Sequence, residues 1–285
     1  MDIHVTEYKP APALEPYVEW YWHGHFNKSA SGTKSWQVLP SGYVELILHL
    51  TDLHCALLRK DKYTQSPDYT IIGLQTSPYI VNFEAHVNVF GIRFKPEGIH
   101  TVFGIPSSLF TGNYEDMTMV LDRSFKNFAE QMRDTEGIPS MRNLADTYLH
   151  NMLIKNNRRM PDYINRAAEL IRTSGGNVRM EDLSSEVCIS LRQLQRGFKQ
   201  KLGISPKHYQ RIFRIIEMHR LLEKQHSVNF TKVSHQLGYT DQAHFIREFK
   251  SITGEKPTFY HQNQQEYIIN PKFGDDISLE NIPFY

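Results

Sequence analysis

The chain has 285 residues, 40% of them hydrophobic and 22% charged, which allows two ordinary domains and excludes wholesale disorder. No uninterrupted apolar run approaches the roughly 20 residues of a membrane span, and the N-terminus lacks the basic-then-apolar pattern of a secretion signal. Two cysteines, Cys55 and Cys188, are too few for a disulfide framework, so a cytoplasmic protein without membrane contact is expected.

The first stretch, residues 1–112, is rich in β-branched and aromatic side chains. YVEWYWHGHF, SGYVELILHL and NVFGIRF are punctuated by Pro-Ser-Gly and Lys-Pro-Glu-Gly turns, which predicts a mostly β domain with strands from about Trp20 to Phe94. From Tyr114 to about Lys155 the pattern turns helical. Phe125, Phe128 and Met132, then Leu144, Tyr148 and Met152, recur at three- and four-residue intervals, with a break at Gly137-Ile138-Pro139. Residues 113–157 therefore read as a helical linker, suited to packing on its own domain or to a dimer contact. NNRRMP, ending at Pro161, marks the next boundary.

Residues 158–262 differ in charge. They hold 18 Lys and Arg against 10 Asp and Glu, whereas the rest of the chain holds 14 against 21, although the formal net charge of the whole is only +1. A compact basic segment beside an acidic one calls for an anionic partner, nucleic acid being the commonest. The same segment contains an internal repeat. LQRGFKQKLGISPKHY (Leu194–Tyr209) and FIREFKSITGEKPTFY (Phe245–Tyr260) agree at Arg196/Arg247, Phe198/Phe249, Lys199/Lys250, Gly203/Gly254, Pro206/Pro257 and Tyr209/Tyr260. All six pairs have one offset, 51 (247 − 196).

Each copy reads as a helix-turn-helix. In the first, MEDLSSEV is a short amphipathic helix with Met180, Leu183 and Val187 inward, and Cys188-Ile189 is the turn. Ser190 then caps a helix whose Leu191, Leu194 and Phe198 form an apolar stripe, with Arg192, Gln195, Arg196 and Lys199 opposite. Gly203 ends it, and Ser205-Pro206 starts the next. Cys188 is expected to be a small packed residue, and Tyr209 and Tyr260 to be structural. In the second copy Asn229 caps a short helix and Gly238-Tyr239 turns. Thr240 is expected to cap a helix with Gln242, Ala243, His244, Arg247 and Lys250 outward and Phe245 and Phe249 inward. This pass is one residue longer than the first. Between the copies, Pro206–Lys224 is an uninterrupted helix with two apolar groups, Tyr209/Ile212/Phe213/Ile216 and Ile215/Met218/Leu222, able to pack against both lobes. At about 28 Å it suits two reading helices set roughly one DNA turn, 34 Å, apart.

At these residues the chain resembles the AraC/XylS family of bacterial transcription regulators over Tyr163–Gln262, most specifically in ISLRQLQRGFKQKLGISP and LGYTDQAHFIREFKSITGEKP. The resemblance implies an α+β protein: a β-rich sensing domain, which in this family is a cupin-like barrel, linker helices, and an all-α tandem helix-turn-helix domain. It implies double-stranded DNA as partner, a small-molecule effector or protein partner in front, RNA polymerase as a further contact, and a monomer or homodimer. Carried over by position, Arg192, Gln195, Arg196, Gln242, Ala243, His244 and Arg247 face bases. Arg and Gln are the side chains that bond guanine and adenine in pairs, and Lys199 and Lys250 suit phosphates. Gly197, mid-helix, is a departure that costs up to about 1 kcal/mol relative to Ala, and Lys256 stands where a capping side chain is usual. The YVEWYW start, LPSGYVEL and IRFKPEG resemble the front domain of one subset of the family.

An enzyme or metal-binding front domain tethered to DNA is the alternative. His23 and His25 share one face of a strand, and His49 and His86 lie in strand-like runs. A cupin metal site needs Glu after the His pair with three or four residues in between, where Ser29 and Ala30 stand. There is no Gly-rich phosphate loop or nucleophile elbow, and Cys55 stands alone. No catalytic residue, metal or cofactor is therefore assigned. The polar tail of residues 263–285, ending in IPFY, is left to pack on a domain or stay loose.

Overall fold

The computed structural model describes residues 3–26, 35–59, 61–83, 86–156, 159–223, 228–263 and 267–268. Period-two alternation builds its first part: β1 (Ile3–Tyr8), β2 (Val18–Phe26), β3 (Ser35–Val38), β4 (Val44–His49), β5 (Ala56–Arg59), β6 (Lys62–Gln65), β7 (Tyr69–Ile72), β8 (Tyr79–Asn82) and β9 (Val87–Phe94). Helix α1 (Pro96–Phe103) and a 3-10 turn at Ser107–Leu109 lead to β10 (Tyr114–Asp116). The strands form two sheets. One has the order β1-β2-β9-β4-β7-β10, and the other is β3-β8-β5-β6 with β11 (Tyr267–Ile268), from the chain's end, added parallel to β3. Strands thus begin at Ile3, well before Trp20, and β10 reaches into the stretch read as linker.

Strand alternation decides which side chains meet. On β2, Trp22 and Phe26 point toward the second sheet and pack with Val38, Leu57 and Val81. Tyr21 points the other way, into a core with Leu46, Phe90 and Phe94 beneath helices. The first sheet is covered on both faces, which explains the near-continuous burial of its central strands β4 and β9. The linker helices α2 (Arg123–Asp134) and α3 (Ile138–Asn156) supply part of that cover. Phe125, Phe128, Met132 and Met152 are buried in this core, and Tyr148 stacks on Phe128 with centroids 4.1 Å apart.

The C-terminal part is all helical up to β11: α4 (Asp162–Thr173), α5 (Met180–Glu186), α6 (Leu191–Leu202), α7 (Pro206–Glu223), α8 (Phe230–Gln236), α9 (Gln242–Thr253) and α10 (Pro257–Gln262). Helix α7 carries the two faces expected of it. Tyr209, Ile212, Phe213 and Ile216 enter the core of α4–α6, and Ile215, Met218 and Leu222 enter that of α8–α10. Its expected last residue, Lys224, lies outside the described residues, as do Arg158 and the terminal IPFY.

Candidate nucleic-acid interface

Each helix pair is set by caps written in the sequence. Ser190 Oγ accepts from the Gln193 amide at 3.3 Å, and Gly203 closes α6 in the left-handed region at φ 80°. Asn229 Oδ1 accepts from Lys232 at 3.0 Å to start α8. The cap of α9 is Asp241, which accepts from the His244 amide at 2.7 Å; it is not Thr240. That amide bond is the first cause holding the Asp241 carboxyl below its ordinary pKa. Asp241 keeps the 51-residue offset from Ser190 (241 − 190), whereas α5 and α8 begin 50 apart (230 − 180). The extra residue therefore sits in the turn, as Thr240. In both turns one residue is left-handed: Gly238 at φ 76° in the second, Cys188 at φ 53° in the first. Cys188 is exposed and not packed, because the turn needs its backbone and leaves its side chain in solvent.

All nine residues predicted to contact DNA are exposed on α6 and α9. Arg192, Gln195, Arg196, Arg247 and Lys250 reach no hydrogen-bond or ion-pair partner among the described residues, so their donors point to solvent. Three others are already engaged. Lys199 Nζ donates to the Gly203 carbonyl at 2.8 Å, and Gln242 Oε1 accepts from Thr231 Oγ1 at 2.8 Å. His244 sits edge-on to Tyr239 at 5.3 Å. Ala243 presents only its methyl group.

Helices α6 and α9 are fixed by different chemistry. On α6, Gly197 lets the Tyr163 ring lie against the backbone, since a Cβ there would stand 2.5 Å from the Tyr163 hydroxyl. The conformational cost noted for this glycine is thus offset by a close contact. The equivalent position on α9 is Glu248, 8% exposed. It accepts from Tyr239 Oη at 2.6 Å and lies 3.1 Å from Arg211 Nε and 3.6 Å from Arg214 of α7. This buried charge cluster escaped the sequence reading because its members are 34–37 residues apart (248 − 214, 248 − 211) and show no local pattern.

The β domain grips the far ends of both helices. A helix leaves its last carbonyls without internal partners. Ser108 Oγ donates to the Gln200 carbonyl at 2.8 Å, Ser107 Oγ to Lys201 at 3.2 Å and Thr111 Oγ1 to Leu202 at 2.9 Å. Gln37 Nε2 donates to the Thr253 carbonyl at 3.1 Å. Leu202 and Thr253 are equivalent last residues of α6 and α9. Helices α4 and α7 dock as well. Arg172 pairs with buried Glu97 of α1, and Tyr209 Oη donates to the Gly42 carbonyl of the LPSGYVEL turn at 3.1 Å. Tyr209 and Tyr260 are both fully buried, as expected, Tyr260 Oη lying 2.6 Å from His219 Nδ1.

A second candidate site lies between the sheets. It is a cavity of about 90 Å³ walled by Trp22, Phe26, Val38, Ile47, Val81 and Ile268. Glu45 lines it but is engaged by Trp22 Nε1 at 2.9 Å and by Arg93, which also pairs with Glu7 at 3.0 Å. At another point His49 Nε2 lies 3.2 Å from Ser66 Oγ, itself 3.3 Å from Cys55 Sγ. Burial first, then the stacked His54, lowers the His49 pKa to about 4. The rings of His23 and His25 touch at 4.4 Å on β2, while His86 precedes β9 and is not in a strand. Among the described residues no three His, Cys, Asp or Glu side chains stand where they could hold a metal ion, and no helix is long and apolar enough to cross a membrane.

Comparison with known proteins finds two family models. A domain of unknown function (DUF6597) matches residues 6–116, and a helix-turn-helix domain matches residues 183–263. The HTH-type transcriptional activator RhaS of Pectobacterium atrosepticum is 31% identical over 75 residues, 26% of each chain. The Msm operon regulatory protein of Streptococcus mutans is 24% identical over 123 residues, 43% of this chain and 44% of the relative. The chain thus matches about a quarter of the length of the first of these relatives. Among solved structures, ToxT of Vibrio cholerae is 12% identical with a TM-score of 0.46, covering 91% of this chain and 97% of that one.

Proposed function

We propose that this chain, whose residues 183–263 belong to the AraC-type helix-turn-helix family, is a sequence-specific transcription regulator that binds double-stranded DNA. The observation that carries this reading is the pair of equivalent helices α6 and α9, fixed to one 18-residue helix and presenting unpartnered Arg and Lys outward. Each outward face has the chemistry of a major-groove reader. Arg192, Gln195 and Arg196 read one part of the site, and Gln242, Ala243, His244 and Arg247 the other. Lys250 and Lys199, once released from Gly203, neutralise phosphates. The protein works in the cytoplasm as a monomer or homodimer, with RNA polymerase as its downstream contact and an effector or protein partner at the β domain. No catalytic role is assigned.

The test is binding selection from random and genomic DNA at fixed near-physiological salt, with the wild type beside an Arg196→Ala/Arg247→Ala double variant. A two-part site enriched by the wild type and lost in the variant is the expected result. Only salt-sensitive background, with or without cell extract, would overturn the reading.

A further inference from the structure

The cavity of the β domain and the grip on α9 share one strand. Val38 of β3 lines the cavity, while its neighbour Gln37 holds the Thr253 carbonyl at the end of α9. Ile268 of β11 lines the same cavity, pairs with Val38, and accepts from the Leu39 amide at 3.0 Å. On the outer side, Leu39 is buried in the core of the second helix-turn-helix, and Tyr267 packs on Tyr260 at 4.9 Å. Displacement of β3 and β11 from within would therefore pull on α9 and α10. The first reading helix is held through Ser107, Ser108 and Thr111, none of which lines the cavity.

The walls also select a ligand. Glu45 is the only charged side chain among the described lining residues, and its oxygens are taken by Arg93 and Trp22. An anion entering there would lose its water with no cation to replace it. An uncharged ring would meet Trp22 and Phe26, and one polar atom could bond at Ser66 and His49. An apolar cavity of about 150 Å³ binds benzene, so one of about 90 Å³ admits a substituted ring only by moving its walls apart.

We propose that this cavity binds a small uncharged apolar molecule, and that filling it displaces Ile268 and β3 and releases the second reading helix while the first stays held. The proposal deepens the regulator reading and rests on it only for the consequence at DNA.

The experiment uses the full chain without DNA, titrated into the millimolar range with p-cresol and, separately, with its anionic analogue p-toluate. Tryptophan emission and thermal melting report binding, and amide hydrogen exchange reports release. With p-cresol, exchange at Ile268, Leu39 and Gly254 should quicken about tenfold while that at Gly203 is unchanged. Leu57→Phe, or the milder Val81→Ile, should weaken p-cresol binding by filling the cavity. Failure of p-cresol to bind, equal binding of p-toluate, or binding that leaves exchange at Leu39 and Gly254 unchanged would each overturn the proposal. A chain that shows the exchange change but binds no DNA would instead refute the regulator reading alone.

Discussion

At the scale of the residue, two positions carry costs that can be measured. Cys188 takes a left-handed backbone at φ 53° where the second copy uses Gly238. A Cβ in that conformation costs roughly 1–2 kcal/mol, partly offset by the lower unfolded-state entropy of a non-glycine residue. Cys188→Gly should therefore raise stability by up to about 1 kcal/mol in urea melts, and Cys188→Ala should not. His49 carries a pH dependence. Its folded pKa is depressed to about 4, so the unfolded chain binds more protons between that value and its ordinary one near 6.5. Its contribution is full above that window, falls as pH drops through it, and is level below. Urea melts across about pH 7 to 4 should show a shallower loss for His49→Gln. On the proposed function, Arg196→Ala and Arg247→Ala should each cost about 1–3 kcal/mol of DNA binding and relax preference in a different part of the site. Equal loss on every sequence would make them phosphate contacts.

At the scale of the element, the caps at Ser190 and Asn229 were legible, the one expected at Thr240 is displaced by one residue, and the charge cluster was not legible. Ser190 and Asn229 start their helices as their spacing predicts, because a cap and its amide lie three residues apart. The shift from Thr240 to Asp241 follows from the same rule. Either side chain can cap, and the residue inserted in the turn decides which one stands at the helix entry. Asp241→Ala should lower stability by about 1 kcal/mol, with Thr240→Ala near neutral, measured by thermal melting. Glu248 was unreadable because its value lies chiefly in Arg211 and Arg214, which reach it only once α7 and α9 have packed. Removing it takes the shared acceptor from the Tyr239 hydroxyl and from two arginines that stay 26% and 19% exposed, so Glu248→Ala should destabilise by about 1–3 kcal/mol.

At the scale of the whole molecule, α7 sets the spacing of the two helix-turn-helix units. Its 18 residues span about 27 Å and bury one face in each unit, so α6 and α9 keep a fixed separation. Inserting about five base pairs, half a helical turn, between the two parts of a selected site should reduce affinity to that of one unit alone, read by fluorescence anisotropy. Unchanged affinity would mean that the units swing independently. The β domain adds a second constraint, for its hydroxyls and Gln37 hold the ends of both α6 and α9.

What the sequence determined by itself is local or periodic. The two-part organisation, the repeat, the outward faces of α6 and α9 and the two-sided packing of α7 all follow from spacings of two, three and four residues and one offset of 51 (247 − 196). What only the tertiary structure decided depends on chain segments far apart in sequence. The burial of Glu248, the contact of Gly197 with Tyr163, the return of Tyr267–Ile268 to β3 and the gripping of both helix ends by the β domain are of this kind. Each satisfies a polar group or fills a space that exists only after the layers have met, so no local pattern could announce it.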